Sequence, residues 1–258
     1  MHKMTVKLSQ RLLTIAHQVP AGSKVADIGS DHALLPTYLV QSGKVHYAVA
    51  GEVNKGPYEA AKKQVEDARL EQMIAVRQGD GLSVLEAGEV DTITIAGMGG
   101  SLIVSILSAL PEKLKGVQTL VLQPNVAEDQ VRQWLRDNGW FLTDEHILEE
   151  DKKIYEVLTA VKKDHADTHN ANLYDESREL PCGLRLTPEQ VISFGPYLIR
   201  KADAVFMSKW EHELDKLNRI QGTVEQSKLE SSKKKAEELA AQIQGIGEVL
   251  ACLRKGRL

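Results

Sequence analysis

The chain has 258 residues, 42% of them hydrophobic and 26% charged, with a formal net charge of −4. That length holds one large domain, or a medium one with an appendage, and the composition is that of a globular protein with a sizeable core. It excludes a uniformly basic nucleic-acid binder; no run approaches the roughly 18 apolar residues of a membrane span, and Met1-His2-Lys3-Met4-Thr5-Val6-Lys7 lacks a secretory signal, so no membrane association and a cytoplasmic location are expected.

A helix is predicted over Ser9–Gln18, with Leu8, Leu12, Leu13 and Ile15 on its apolar side. From Lys24 to about Lys163, short β-rich runs alternate with helical stretches, the pattern of a doubly wound parallel sheet. The predicted strands are Lys24–Gly29, His46–Val53, Met73–Gln78, Val90–Ala96, Gln118–Gln123, Trp140–Glu149 and Lys153–Lys162. The charged turn Glu149-Glu150-Asp151-Lys152 makes the last two an antiparallel hairpin. Helices are predicted over Ala33–Ser42, Lys55–Ala68, Ser101–Leu110 and Ala127–Asn138.

Between Asp164 and Cys182 the periodicity lapses and the composition turns polar, so a linker is placed there. His165 and His169, with Asp164 and Asp167, have the spacing of a metal pair but no third ligand; solvated linker side chains are the simpler reading, and no metal is expected. Thr187-Pro188 opens a short helix as N-cap and first-turn pair. Two longer helices follow, with seams of Met207, Trp210, Leu214, Leu217, Gln221 and Val224, then Leu239, Ile243, Ile246, Leu250 and Leu253. Across the charged segment Glu225–Lys235 they would close into an antiparallel coiled coil, more economically within one chain than between two. The expected domains are therefore 1–163, a linker at 164–182, and a helical domain at 183–258. That last part holds 13 basic against 10 acidic residues, whereas the residues before it hold 19 against 26. Cys182 and Cys252 are far apart without Cys-x-x-Cys spacing, and both read as reduced thiols.

The chemistry-bearing residues gather at strand ends. In such sheets ligands sit at the carboxyl ends of the strands near the topological switch. The first strand runs into "VADIGSDHA" (Val25–Ala33), where Gly29 lets backbone approach a ligand; only one glycine of a G-x-G-x-x-G fingerprint is present, which disfavours nicotinamide or flavin. Glu52 in "GEV" is placed to accept ribose hydroxyls. Asp80 in "GDG" can accept from an exocyclic amine or form a turn. Strand four ends in "IAGMGG" (Ile95–Gly100), where side chains are left out as if something must reach the backbone. Gln123-Pro124-Asn125 ends strand five, and Asn125 can bond a base edge or cap the next helix.

Together these residues resemble class I S-adenosylmethionine-dependent methyltransferases, an α/β class with a seven-stranded Rossmann-like sheet. More narrowly, "DIGSDHALLP", "IAGMGG", "LQPN" and the C-terminal helical pair resemble the TrmK-type bacterial tRNA (adenine(22)-N1)-methyltransferases. The resemblance implies methylation of N1 of one tRNA adenine. It implies a cofactor site of Asp27, Gly29 and Ser30, Glu52 for the ribose, Asp80 for the adenine, and Val53, Gly81, Ala96 and Gly97 beside them.

Two departures stand out: Asp31 replaces the last glycine of the first motif, and Gly97-Met98-Gly99-Gly100 replaces the Asn/Asp-Pro-Pro-aromatic of amino methyltransferases. The first points to Asp31 as the carboxylate near the base, with His32 orienting or protonating nearby. Met98 can pack on the base or fill a gap. An N1 target has to be extruded from the RNA, and Arg11, Lys55, Lys62, Lys63, Lys233, Lys234 and Lys235 are candidate phosphate contacts; Tyr58 and Trp210 are candidate stacking surfaces, though packing is the simpler reading of each. Two other readings remain open: a small-molecule or protein methyltransferase whose coiled coil dimerises, and a non-catalytic RNA-binding protein that keeps the cofactor site. No stable protein partner is evident, and a monomer is favoured.

Overall fold

The computed structural model describes residues 6–225 and 230–255, with side chains placed outside 225–233. The chain divides into two compact units, Met1–Ala171 and Asn172–Leu258.

The first unit is built on seven strands: β1 (Lys24–Ile28), β2 (Tyr47–Glu52), β3 (Ile74–Gln78), β4 (Thr92–Met98), β5 (Thr119–Pro124), β6 (Trp140–Glu150) and β7 (Lys153–Lys162). Their order across the sheet is β3-β2-β1-β4-β5-β7-β6. The first five run parallel, while β7 pairs antiparallel with both β5 and β6. The order reverses between β1 and β4, so the crevice opens where Ile28 and Met98 end, as expected of a doubly wound sheet. Around the sheet lie α1 (Gln10–Gln18), α2 (Leu34–Gln41), α3 (Lys55–Ala68), α4 (Gly100–Ala109) and α5 (Glu128–Asp137).

Local chemistry fixes these boundaries. Ser9 caps α1 by accepting the Leu12 N–H at 3.3 Å. Arg69 closes α3 in the left-handed conformation, returning its N–H to the Glu66 carbonyl. Strand residues covered on both faces, such as Val25, Ala48, Val121 and Val157, join Ile15, Leu35, Leu39 and Val65 from the helices in one buried cluster.

The segment expected to be a linker carries instead α6 (Ala166–Glu176). Its polarity hid it from a periodicity argument. Asn170 is buried and works as a bracket, donating to the Trp140 carbonyl at 2.8 Å and accepting the Leu142 N–H at 3.3 Å. His169 lies against the Phe141 ring, with centroids 5.3 Å apart, and among the described residues no three of His, Cys, Asp and Glu gather as for a metal.

The second unit continues with α7 (Pro188–Phe194), α8 (Pro196–Lys201), α9 (Ala204–Glu225) and α10 (Glu230–Lys255). A capping box of Thr187 and Gln190 starts α7, as the Thr-Pro pair predicts. The two long helices pack along each other, and Arg254 reaches Glu211 at 2.7 Å. Trp210 is buried with Phe194, their centroids 4.2 Å apart, and with Phe206, so of its two readings it is the packing one that the structure shows. Leu239, Ile246, Leu250 and Leu253 of the predicted seam are buried.

The two cysteines are not free thiols: Cys182 and Cys252 form a disulfide with a Cα–Cα distance of 5.6 Å. They are 70 residues apart in sequence, and the return of α10 along α9 brings them together, which linear spacing conceals. No described helix is long and apolar enough to cross a membrane.

Candidate active site

The turn after β1 is tightly folded. The Gly29 and Ser30 N–H groups both donate to the Gly51 carbonyl, at 2.9 and 3.1 Å, which folds the turn over the end of β2. Gly29 has φ +72, and a Cβ on it would lie 2.2 Å from the Met98 Cε. Met98 thus reaches across the switch point from β4 and lies over the glycine. The next residues are strained: His32 and Ala33 have φ of 61 and 51 without being glycines. The Asp31 and His32 side chains, 3.6 Å apart and 83% and 58% exposed, are presented to solvent at the mouth.

Beneath the turn, Asp27 is buried at the end of β1. Its carboxylate accepts the Ser30 hydroxyl and the Thr94 hydroxyl, each at 2.6 Å. Burial pushes its pKa up, against the pull of the two hydroxyls and the nearby Arg11 charge. Glu52 is also buried and is pushed up by loss of solvent, while its Oε1 accepts the Asp31 backbone N–H at 2.7 Å. At the end of β3, the Gly79 N–H donates to the Glu52 carbonyl at 2.9 Å, and Asp80 precedes a 3-10 turn over Gly81–Val84. The Asp80 side chain makes no capping bond, so the turn does not use its exposed carboxylate.

Gly97 sits in a bulge where the β4–β5 register shifts, with φ +79. Side-chain amides take the place of ladder partners there. Its N–H donates to the Gln123 Oε1 at 3.1 Å, and its carbonyl accepts the Asn125 Nδ2 at 2.8 Å. Gln123, fully buried, also donates to the Asn125 Oδ1 at 3.0 Å and accepts from the Arg11 guanidinium at 2.7 Å. Asn125 is not the α5 cap, since that position is the left-handed Ala127 without a side-chain bond. Its amide braces the glycine loop and keeps one N–H and part of its carbonyl free for a ligand.

The predicted residues Asp27, Gly29, Ser30, Asp31, His32, Glu52, Val53, Asp80, Gly81, Ala96, Gly97, Met98 and Asn125 all lie at the carboxyl ends of the five parallel strands. Thr94, and Arg11 as a partner of Gln123, were not foreseen. A hydroxyl inside the apolar run of β4 was the available signal, because a buried Thr needs a partner. The fit to a nucleoside carrying an amino-acid arm is physical: two buried acceptors, an exposed acid, and a glycine turn with no room for a side chain.

Comparison with known proteins agrees with this geometry. A model of the tRNA (adenine(22)-N(1))-methyltransferase family matches residues 25–248. The tRNA (adenine(22)-N(1))-methyltransferase of Bacillus subtilis is 44% identical over 95% of this chain and 98% of its own. The crystal structure of that B. subtilis enzyme superimposes with a TM-score of 0.85, covering 95% of this chain and 99% of the other. A Streptococcus pneumoniae putative tRNA (m1A22) methyltransferase, solved in complex with S-adenosyl-L-methionine, is 38% identical over 95% of this chain and all of its own, with a TM-score of 0.78. The chain belongs to the tRNA (adenine(22)-N(1))-methyltransferase family.

Proposed function

We propose that the chain methylates N1 of adenine 22 in tRNA with S-adenosylmethionine as donor, and that the strand-end residues divide the work as follows. The observation that carries the reading is the convergence of two buried acids and two glycine turns on the switch point of a sheet whose relatives act on that adenine. When bound, the cofactor supplies an electrophilic sulfonium methyl, which adenine N1 can take with its in-plane lone pair and no prior deprotonation.

The protein's task is then orientation and charge. Asp27, Ser30 and Gly29 form the cradle of the amino-acid arm, Glu52 accepts from the ribose, and Asp80 accepts from the cofactor's adenine with Val53 and Gly81 beside it. Ala96 and Gly97 let the donor approach the backbone. Asp31 faces the positive charge that the target base acquires, His32 orients it, and Asn125 offers its remaining polar capacity to the base edge. Lys55, Lys62, Lys63, Lys234 and Lys235 are exposed and serve as RNA contacts; the side chain of Lys233 lies outside the described residues. The chain works as a cytoplasmic monomer in this reading.

The test is methyl transfer from labelled donor to unmodified tRNA transcripts carrying adenine or guanine at position 22, with nucleoside mass analysis. N1-methyladenosine in the adenine set alone is expected; no product with cofactor binding intact would direct the search to another acceptor. In the same assay Asp31→Ala should lower kcat by about a hundredfold with cofactor affinity little changed, and full turnover at saturating substrates would remove the assignment.

A further inference from the structure

Among the described residues four large apolar side chains are exposed, and three of them, Val53, Leu102 and Val126, follow the carboxyl ends of β2, β4 and β5. Val53 adjoins the ribose acid and belongs to the cofactor site. Leu102 and Val126, 52% and 63% exposed, have no role there. A single exposed aliphatic is ordinary on a protein surface. The way Val126 is held is not.

Its turn is pinned to the glycine loop from both sides. The Asn125 N–H donates to the Met98 carbonyl at 2.7 Å, and the Gly100 N–H donates to the Val126 carbonyl at 2.8 Å. Ala127 next to it takes the left-handed conformation at φ 58, sparsely populated for a residue with a Cβ. Gly100 makes room for this turn, since a Cβ there would come within 2.1 Å of the Ala127 carbonyl oxygen. Val126 Cγ2 lies 3.6 Å from where a Cβ on Gly99 would stand, and Leu102 starts α4 by donating its N–H to the Gly99 carbonyl at 3.0 Å. Hydrogen bonds and local strain therefore hold an apolar side chain out into solvent beside the loop at which donor and acceptor meet.

We propose that Leu102 and Val126 are substrate-positioning residues that cover the face of the extruded target adenine. The inference rests on the methyltransferase reading and adds a base-contacting surface to it. An extruded base needs polar partners at its edge and apolar cover on its π faces. The proposed edge partners are Asp31 and Asn125. Aromatic cover is scarce in a chain that is 5% aromatic: Trp210 is inside the core of the second unit, and Tyr58, half-buried in α3, follows β2 rather than the glycine loop of β4. In its place the structure offers Val126 beside Gly99 and the exposed Leu102 in the first turn of α4.

The experiment compares Leu102→Ser, Val126→Ser, the double variant and Val126→Ile with the wild-type chain on the adenine-22 transcript. Cofactor affinity and thermal unfolding midpoint are measured for each, and 2-aminopurine at position 22 reports unstacking. The serine variants should raise KM for tRNA by about tenfold, with cofactor affinity and unfolding midpoint kept, and the double variant should lose most of the 2-aminopurine fluorescence gain. Val126→Ile should behave as wild type. A double variant whose kcat/KM stays within about twofold of wild type would overturn the proposal, as would serine variants that lose cofactor affinity in step with activity. A wild-type chain that binds cofactor but leaves the transcript unmodified would instead remove the underlying reading, an outcome seen before any variant is compared.

Discussion

Gly29 has no room for a side chain as the turn now stands. An alanine there meets two obstacles, the Met98 methyl at 2.2 Å from the new Cβ and a φ of +72. The thioether can swing away, but the backbone cannot change sign without breaking the bonds to Gly51, so a penalty of about 1–2 kcal/mol remains. Gly29→Ala should therefore weaken cofactor binding by about tenfold in calorimetric titration, and adding Met98→Ala should recover only part of the loss. Full recovery would mean that contact, not backbone conformation, limits the turn.

The acids of the same site give a pH signature. Asp27 and Glu52 are raised by burial, so on acidification they protonate before ordinary carboxylates and cease to act as ionised acceptors. Binding of S-adenosylhomocysteine should weaken as pH falls toward the upper carboxylate range. The fold responds differently. Glu89, bridged to Arg77 at 2.6 Å, is held down to about 2 from 4.5, so its stabilising effect is complete above the ordinary value and is lost as pH falls toward 2. The raised acids work in the opposite sense, since a proton gained more readily in the folded state favours it. Titrations of affinity and of unfolding midpoint against pH should thus separate, with affinity failing first; coincident curves would show that acid acts on the fold as a whole.

Among the elements, α5 and the β6–β7 hairpin are joined through one buried cation. Arg132 donates its Nε to Glu145 at 2.5 Å and a terminal nitrogen to Glu156, and all three side chains are buried. Arg132→Ala removes the cation that the two buried carboxylates share and should destabilise the protein by about 3–5 kcal/mol in urea unfolding. Glu145→Gln, which keeps shape and a hydrogen bond, should be milder; equal effects would assign the loss to packing rather than charge. The sheet and its helices were legible in the sequence because each apolar run is closed by Gly, Pro, Asn or Asp, and the strand-end acids follow from that frame. Arg132 and its partners were not, nor were Arg11–Gln123 and Thr94–Asp27, pairs 112 and 67 residues apart that no local pattern marks. Helix α6 escaped because its anchor is a buried polar residue, Asn170, where periodicity looks for apolar ones.

At the scale of the whole molecule, the two units should answer separately to reducing agents. The disulfide between Cys182 and Cys252 closes a loop of 70 residues, and removing such a cross-link releases about 4 kcal/mol of denatured-state entropy. Reduction, or Cys182→Ser, should lower the unfolding midpoint of the helical unit while cofactor affinity, which the proposed site assigns to residues before Ala171, stays unchanged. Loss of cofactor binding on reduction would show that the first unit does not stand by itself.

One carboxylate links events that occur at different places in the site. Glu52 holds the Asp31 amide through one oxygen, and a ribose drawing on the same carboxylate would share its electron density with that amide. If the proposed roles of Glu52 and Asp31 hold, cofactor occupancy would be communicated to the acid assigned to the target base, and thermodynamic reciprocity requires that a substrate engaging Asp31 alter cofactor affinity by the same factor. On that assignment a single hydrogen bond would suffice to couple the two ligands, and tRNA affinity measured with and without S-adenosylhomocysteine should differ in the wild type and converge in Glu52→Gln.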